Sequence, residues 1–485
     1  MGHGRACYRG FVASRRIDGH PSVWAAVPAI GLGVLAIGVV AAACIEPRAF
    51  PCDDTAQCVR DGEQGRCEGA GWCSYPDDAC DGGLRFEPRA PDGLGGACVD
   101  AGASSDGSGG GSSSSGTGSG TTTAGPIYAC DDRPCTTTGL VVGDAHGCVR
   151  DGQDTLWCWG DNTLGQLGRG VTSPAERCPG PTVALGAIVQ ASASQHMCAR
   201  DAESRVYCWG NNEHGQVDWH AGADAIVRAP IEIQDLELVP ETLDVGPSLS
   251  CAAAGTSVRC WGDLGQAATT VSTTSPVRVL ATGAQHACAV LEGGAVECVG
   301  VDTSGQLGDG VPAGMIALEQ SRPFESGATI VDAGYVHSCA LVTTELGPEV
   351  QCWGANDAGQ CGAPLDTPIV ASPIKVPNLV PGPYAALALG ARHSCVLAED
   401  GRVQCWGDNG DGQVGPNAPA GFGAHTVVLE DDTPLLAIEI GAGASHTCAR
   451  TGDDAVVCWG DNGALQLGAA SSEDTRAHHW LEIGC

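Results

Sequence analysis

The stretch His393-Ser394-Cys395-Val396-Leu397-Ala398-Glu399-Asp400-Gly401-Arg402-Val403-Gln404-Cys405-Trp406-Gly407-Asp408-Asn409-Gly410-Asp411-Gly412-Gln413-Val414-Gly415 decides the fold. Its centre reads as a hairpin, with the turn at Glu399-Asp400-Gly401 and Val396 and Val403 in the flanking strands. Cys395 and Cys405 then lie equidistant from the turn and face one another across the ladder. Cross-strand Cα separations of roughly 4.5–5.5 Å fall within the range a disulfide tolerates. Closing so short a loop is worth about 2–3 kcal/mol in the chain-entropy model. Two buried free thiols packed as small hydrophobes are the alternative.

The same frame recurs along the chain. The pairs are Cys148 and Cys158, Cys198 and Cys208, Cys251 and Cys260, Cys288 and Cys298, Cys339 and Cys352, Cys395 and Cys405, and Cys448 and Cys458. Their first members are 50, 53, 37, 51, 56 and 53 residues apart, so there are seven units, the third shortened. A repeat of this period is the signature of a solenoid, propeller or array. Trp follows the second Cys in six units (Trp159, Trp209, Trp261, Trp353, Trp406, Trp459), with Val299 in the fourth. An aromatic recurring once per unit at a strand end is expected to pack between neighbouring units, a ligand-stacking platform being the other reading. A Gly-Gln turn follows, as in Gly165-Gln166 and Gly412-Gln413, and Asn162, Asn212, Asn356, Asn409 and Asn462 are expected to satisfy loop amides. No Lys or helix start follows these turns, so phosphate binding is not indicated.

His-x-Cys, then Gly-x-Val-x-x-Trp-Gly, then Asn-x-x-Gly-Gln-Leu-Gly resembles the repeat of the RCC1 (regulator of chromosome condensation) family, over roughly residues 139–485 and seven times. The resemblance implies an all-β fold, a seven-bladed β-propeller of RCC1 type in which each blade is a four-stranded antiparallel sheet. In that family, eukaryotic members serve as exchange factors for the small GTPase Ran and as scaffolds. One secreted bacterial relative inhibits β-lactamases by binding them with a propeller face. Unit three, the shortest, is expected to lack strand length or a loop.

Ring closure is expected at the chain's end. Segments such as Pro276-Val-Arg-Val-Leu280 and Pro373-Ile-Lys-Val376 precede the His-x-Cys strands, and the first unit shows no obvious copy. His479-Trp-Leu-Glu-Ile483 is therefore expected to complete the first unit's blade, with Cys485 clasping Cys130 or Cys135 at the seam.

The N-terminal third has a different organisation. Residues 1–43 are read as a signal or anchor segment: Arg5, Arg9, Arg15 and Arg16 precede the uncharged run 23–43. Ala41-Ala42-Ala43-Cys44 resembles a bacterial lipobox, which would make Cys44 the lipidated N-terminus. Ala41 stands where that family usually places Leu. An ordinary signal-peptidase site after Ala43 and a retained membrane anchor are the alternatives. Residues 44–51 form a short tether after that Cys. Residues 52–100 hold Cys52, Cys58, Cys67, Cys73, Cys80 and Cys98, a disulfide-rich module with 15 possible connectivities. Asp53, Asp54, Asp77 and Asp78 there offer a conceivable Ca²⁺ site, solvated loop carboxylates being the plainer reading. Residues 101–125, almost all Gly, Ser, Thr and Ala, form a flexible linker, and 126–485 form the propeller.

Composition bounds the function. The net charge is −33 with only 24 basic residues, which opposes nucleic-acid binding, and so chromatin, and docking on anionic lipid through basic patches. The 27 cysteines without any Cys-x-x-Cys argue for a disulfide protein exported to the outer membrane or cell surface, periplasm or medium, where it would not meet Ran. His146, His196, His286, His337, His393 and His446 come one per unit, spread around a ring, and are expected to bond backbone; no metal site is assigned. No catalytic constellation and no cofactor site are recognised. The chain thus reads as a monomeric, non-enzymatic binding or scaffold protein for an unidentified protein or glycan, joined to the membrane through its N-terminal lipid or anchor. The alternatives are a hydrolase or lyase with a central-funnel site, which a cluster of titratable residues of shifted pKa in the central channel would favour, and a structural envelope component. Function is expected where units disagree, first in the Cys339–Cys352 insertion and the segment 309–329.

Overall fold

A computed structural model describes residues 136–468, apart from 184, 221–225, 264–267, 313–318, 417 and 430–431, together with His479–Leu481 and short strands between 59 and 86. The chain divides into two units, Met1–Thr122 and Thr123–Cys485. In the first, Val59–Arg60 pairs with Glu63–Gln64, and Arg66–Cys67, Cys73–Pro76 and Leu84–Phe86 form a three-stranded sheet in which Cys67 lies opposite Cys73. Cys44, Cys52, Cys58, Cys80, Cys98, the acidic residues of that module, the 101–125 linker and Cys130, Cys135 and Cys485 lie outside the described residues. So does the apolar run 23–43; among the described residues no helix is long and apolar enough to cross a membrane.

The second unit is a seven-bladed all-β propeller. Each blade is one four-stranded antiparallel sheet with its strands in sequence order. Blade 1 runs Thr137–Val142, His146–Asp151, Leu156–Asn162 and Ser173–Pro181; blade 2 runs Ile188–Ala193, His196–Asp201, Val206–Asn211 and Ile226–Glu232. Blade 3 comprises Thr242–Val245, Leu249–Ala254, Ser257–Gly262 and Thr269–Ser272, and blade 4 Val277–Thr282, His286–Leu291, Val296–Gly300 and Glu319–Phe324. Blade 5 comprises Ala328–Ala333, His337–Thr344, Gly347–Ala355 and Ile369–Lys375. Blade 6 follows with Tyr384–Leu389, His393–Ala398, Val403–Gly407 and Gly421–Thr426, and blade 7 with Glu439–Ala442, His446–Arg450, Val456–Gly460 and His479–Leu481. The shortened third unit forms a full blade of four strands, whose first and fourth, Thr242–Val245 and Thr269–Ser272, have four residues each.

Every Cys pair sits in register across strands two and three, and all seven are disulfides with Cα separations of 4.0–4.1 Å. The sulfurs are buried in the packing between blades. Cys361, which the repeat does not use, is a buried free thiol. The glycine after each Trp explains itself. Gly160 has φ 102° and a Cβ there would stand 2.6 Å from the Ala145 carbonyl oxygen; Gly407 has φ 108° and would meet the Arg392 oxygen at 2.6 Å.

Ring closure differs from the sequence expectation. His479–Leu481 pairs with Val456–Cys458 and is the outer strand of its own blade 7. Thr137–Val142 supplies blade 1 with its own inner strand, pairing Val141 with Cys148. The Thr-Thr-Gly-Leu-Val-Val segment lacks the immediately preceding proline that Pro276 supplies to Val277–Thr282, which hid it. The proline itself misled at Pro373, since Ile369–Lys375 is the outer strand of blade 5 while Tyr384–Leu389 begins blade 6. No strand is exchanged at the seam, and packing closes it. The first strand of blade 7 lies against that of blade 1, with Val142 filling the space a side chain at Gly441 would occupy. Ala444 N–H donates to the Asp144 oxygen, Arg450 Nη1 to the Thr137 oxygen, and Thr137 Oγ1 to the Asp454 oxygen.

Removing residues 469–485 should therefore lower the melting temperature by only a few degrees, about the loss of one short edge strand. Val142→Asp, which places a charge in the seam, should cost more; calorimetry giving the reverse order would refute this closure.

Candidate functional site

The residues repeated in sequence are consumed by one device between blades. The carbonyl of the turn Gln in one blade accepts the indole N–H of the next: Trp209 Nε1 to Gln166 O at 2.9 Å, Trp353 to Gln306 at 2.8 Å, Trp406 to Gln360 at 2.9 Å, Trp459 to Gln413 at 3.0 Å, and across the seam Trp159 to Gln466 at 2.9 Å. These Trp rings are fully buried. Three of the same carbonyls, and that of Gln216, accept a hydroxyl: Ser338 to Gln306, Ser394 to Gln360, Thr447 to Gln413 and Ser250 to Gln216. The turn itself is held by the Gln side chain, whose Oε1 accepts the N–H two residues earlier, as at Leu164. Asn162, Asn212, Asn356, Asn409 and Asn462 each accept the N–H five residues later. Asp302 does the same in blade 4.

The histidines belong to this device, with a partner other than the expected backbone. His196, His286, His337 and His393 place Nε2 at 2.5–2.9 Å from Ser250, Ser338, Ser394 and Thr447 of the following blade. Each hydroxyl donates its proton to the Gln carbonyl, so Nε2–H is the donor to it. Burial pulls His146, His196, His337 and His393 down to about 3 and His286 and His446 to about 4. His146 and His446 meet no such hydroxyl, because Met197 and Gly147 stand there; Gly147 is fixed by Trp159, whose ring a Cβ would strike at 2.5 Å.

Sequence spacing did not isolate the carboxylates that the fold collects at the axis. The seven inner strands line a central cavity of about 240 Å³. The residues opposite the first Cys of each blade form a ring: Val141, Ser192, Asp244, Ala281, Asp332, Ala388 and Gly441. Five are small or apolar and neutral; two are Asp. The Asp244 carboxylate accepts Ser192 Oγ–H at 2.6 Å and Thr282 N–H at 2.7 Å. Asp332 accepts Ala333 N–H and, from blade 6, Leu389 N–H, both at 2.9 Å. Both bridge the unpaired edges of neighbouring inner strands. Asp144, in the first turn of blade 1, accepts Ser194 Oγ–H at 2.6 Å and the Tyr335 hydroxyl, which reaches it from blade 5. Burial raises all three carboxyls, Asp244 to about 6 and Asp332 to about 7, the latter helped by the nearby Asp244 charge. Among the described residues no three potential ligands converge on a metal position. The one signal in the sequence is faint: Asp-Val-Gly246 and Asp-Ala-Gly334 stand where other units carry apolar or small residues.

The surface carries a second feature. Val311, Leu365, Ile369 and Phe422 are exposed in the segments joining the third and fourth strands of blades 4, 5 and 6 or beginning the fourth. The segments of adjacent blades touch: Gly310 N–H bonds the Ala371 oxygen, and a Cβ on Gly359 would stand 2.8 Å from Phe422 N. Leu346, 91% exposed, tips the long hairpin of blade 5 on the opposite face.

Scaffold and cavity respond to pH in opposite senses. The histidine contributions are complete above the unfolded value near 6.5 and are lost as pH falls toward 4. The raised Asp244 and Asp332 favour the folded state most below about 4 and progressively less as pH rises to 7. Asp332→Asn removes one of the latter, so its unfolding free energy relative to the parent should improve by on the order of a few kcal/mol between pH 5 and pH 8. A flat difference in denaturant titrations would contradict this. Ser394→Ala, which strands His337 Nε2, should cost about 1–3 kcal/mol, and Ser394→Thr much less, as Thr447 already serves blade 7.

Segments 138–166, 189–216, 384–413 and 437–466, in blades 1, 2, 6 and 7, match the family profile of the regulator of chromosome condensation (RCC1) repeat. The human probable E3 ubiquitin-protein ligase HERC6 is 29% identical over 221 residues, 42% of this chain and 20% of that protein. The Arabidopsis thaliana ultraviolet-B receptor UVR8 is 30% identical over 206 residues, 41% of this chain and 44% of that one. The chain thus spans less than half the length of these relatives. Prp20p from Saccharomyces cerevisiae, whose structure was described with its binding to Gsp1p and histones, matches at TM-score 0.60 and 22% identity, covering 68% of this chain and 87% of that one. That likeness is one of fold. The chain carries RCC1 repeats, and its propeller is of the RCC1 type.

Proposed function

We propose that this chain is an exported binding or scaffold protein, held at the cell surface through a lipid on Cys44, whose propeller recognises a protein partner through the loop side of blades 4–6. The observation that carries this reading is a division of labour. The repeated His, Trp, Gln and Cys residues are buried in contacts within and between blades, whereas Val311 and Leu365, 69% and 55% exposed, lie where the units differ. Contiguous exposed aliphatic side chains beside an aromatic favour a protein surface over a sugar. The net charge of −33 favours a basic partner and would speed its approach. Seven disulfides in one propeller support an oxidising compartment. Its RCC1-type relatives include Prp20p, whose structure was described with binding to Gsp1p and histones.

Expression of the full chain in a bacterial envelope, followed by intact-mass analysis and affinity capture, tests both parts. A diacylated Cys44 terminus is expected, with one partner recovered by the parent and lost in Leu365→Asp/Phe422→Asp. Release of a soluble chain beginning at Cys44 would remove the anchor. Loss of the partner in Leu346→Asp, with the double variant unaffected, would move the site to the other face.

A further inference from the structure

We infer that the outer edge of blade 6, Gly421–Thr426, takes up an added β-strand, an extended and Lys- or Arg-bearing segment of the protein partner held by main-chain hydrogen bonds. This rests on the reading of the loop side of blades 4–6 as the partner surface and names how the partner is gripped there. Two observations carry it, and both are departures of blade 6 from the other units. The first is an edge without protection. The fourth strand of each blade has a neighbour on one side only, and unpaired edges are normally guarded by proline, charge or short length. Ser173–Pro181, Ile226–Glu232, Glu319–Phe324 and Ile369–Lys375, in blades 1, 2, 4 and 5, each contain proline and a charged residue. The outer strands of blades 3 and 7 have four and three residues. Gly421-Phe-Gly-Ala-His-Thr426 is six residues long and contains no Pro, Lys, Arg, Asp or Glu. Nothing inside the protein calls for glycine at 423, where a Cβ would meet only the side-chain ends of Asn378 and His425, at 3.4 and 3.8 Å. A glycine within a strand commonly marks close approach by another backbone.

The second observation is a carbonyl left without its usual donor. Gly170 N–H of blade 1 donates to the Arg228 oxygen of blade 2, and Gly310 N–H of blade 4 to the Ala371 oxygen of blade 5, both at 2.8 Å. Arg228 and Ala371 each follow the residue paired with the glycine after the Trp, Val227 with Gly210 and Val370 with Gly354. In blade 6 Gly407 pairs with Gly421, so Phe422 holds the same place. The donor's place in blade 5 is taken by Pro364, which has no N–H. Among the described residues no backbone N–H of a neighbouring loop bonds the Phe422 oxygen. Phe422 is itself 40% exposed, and Leu365 and Ile369 stand exposed in the adjoining segment of blade 5. Asp309 and Asp366, exposed in the flanking loops, accept hydrogen bonds only from Val311 and Thr367 of those loops. An extended segment mixing aliphatic and basic residues supplies hydrocarbon for the first group and charge for the second. A second copy of this chain would instead bring another net charge of −33 to the same edge.

Fluorescence anisotropy of the full chain with a labelled Lys-Val-Lys-Val-Lys-Val-Lys-Val peptide, and with the same peptide methylated at every backbone nitrogen, tests the pairing. Methylation removes the donors and keeps side chains and charge. Saturable binding of the first peptide is expected, with the second weaker by about tenfold or more. Hydrogen exchange should show added protection at 421–426. Pro364→Gly, which supplies the missing N–H, and Gly423→Lys, which sets a cation on the edge, should each weaken binding several-fold. Leu346→Asp, on the opposite face, should leave it unchanged. Absence of saturable binding, equal affinity for the two peptides, protection elsewhere, or a dimer of the chain joined through 421–426 would overturn the assignment. If Leu365→Asp/Phe422→Asp abolishes partner capture while methylation and Gly423→Lys change nothing, the partner surface stands and strand addition falls.

Discussion

One backbone carbonyl per blade fastens this ring. The turn glutamine of a blade presents its oxygen to the next, and among the described residues a buried indole N–H takes it at five junctions and a Ser or Thr hydroxyl at four. Everything repeated in the sequence follows from keeping that oxygen in place. The Gln side chain and the Asn five residues before the following amide shape the turn, and glycine after the Trp allows the strand to cross the preceding loop. The disulfide fixes the hairpin that carries the Trp. The histidine completes the hydroxyl's geometry and, being neutral and fully buried, makes the junction sensitive to acid. Three junctions lack the hydroxyl, where Gly147, Met197 and Ala287 stand, and one blade lacks the Trp, yet the ring closes, because cyclic packing distributes the loss over seven interfaces.

A scaffold that satisfies itself so fully leaves few places for chemistry. Those places are the ring's axis and its rim, and they differ in character. At the axis the inner strands present unpaired edges, and Asp244, Asp332, Ser192 and Gln190 accept or bridge the backbone groups there. Those side chains serve the strand edges, and two of them are carboxylates in a cavity lined by no basic residue. At the rim, the segments between third and fourth strands carry the turn Gln that bonds the next blade, and beyond that Gln they differ from unit to unit. Exposed Val311, Leu365, Ile369 and Phe422 lie in that tolerant zone.

Cys395 opposite Cys405, one Trp per unit and the Gly-Gln turn made the architecture readable from a single unit, because each is a local consequence of hairpin register. The seam was misread for a related reason. Thr137–Val142 carries the inner-strand function without the proline that marks other units, and Ile369–Lys375 carries the proline without the function. A cue attached to a turn does not say which of two strands follows it. The histidines were placed correctly in the scaffold, but their partner lies in the next unit, about fifty residues on, and only the packed ring brings the hydroxyl of Ser394 to His337.

Turn chemistry and cysteine spacing therefore determined by themselves that seven hairpin units recur and that each sets two Cys opposite one another, while the four-stranded blade was what the resemblance to the RCC1 repeat implied. These are properties of short stretches, and the physics that sets them acts over a few residues. Tertiary structure alone decided that blade 1 supplies its own inner strand, that Asp244 and Asp332 share a cavity though 88 positions apart in sequence, and that Tyr335 reaches Asp144. Each of those depends on the cyclic order of blades around an axis, a coordinate that no single unit of the repeat contains.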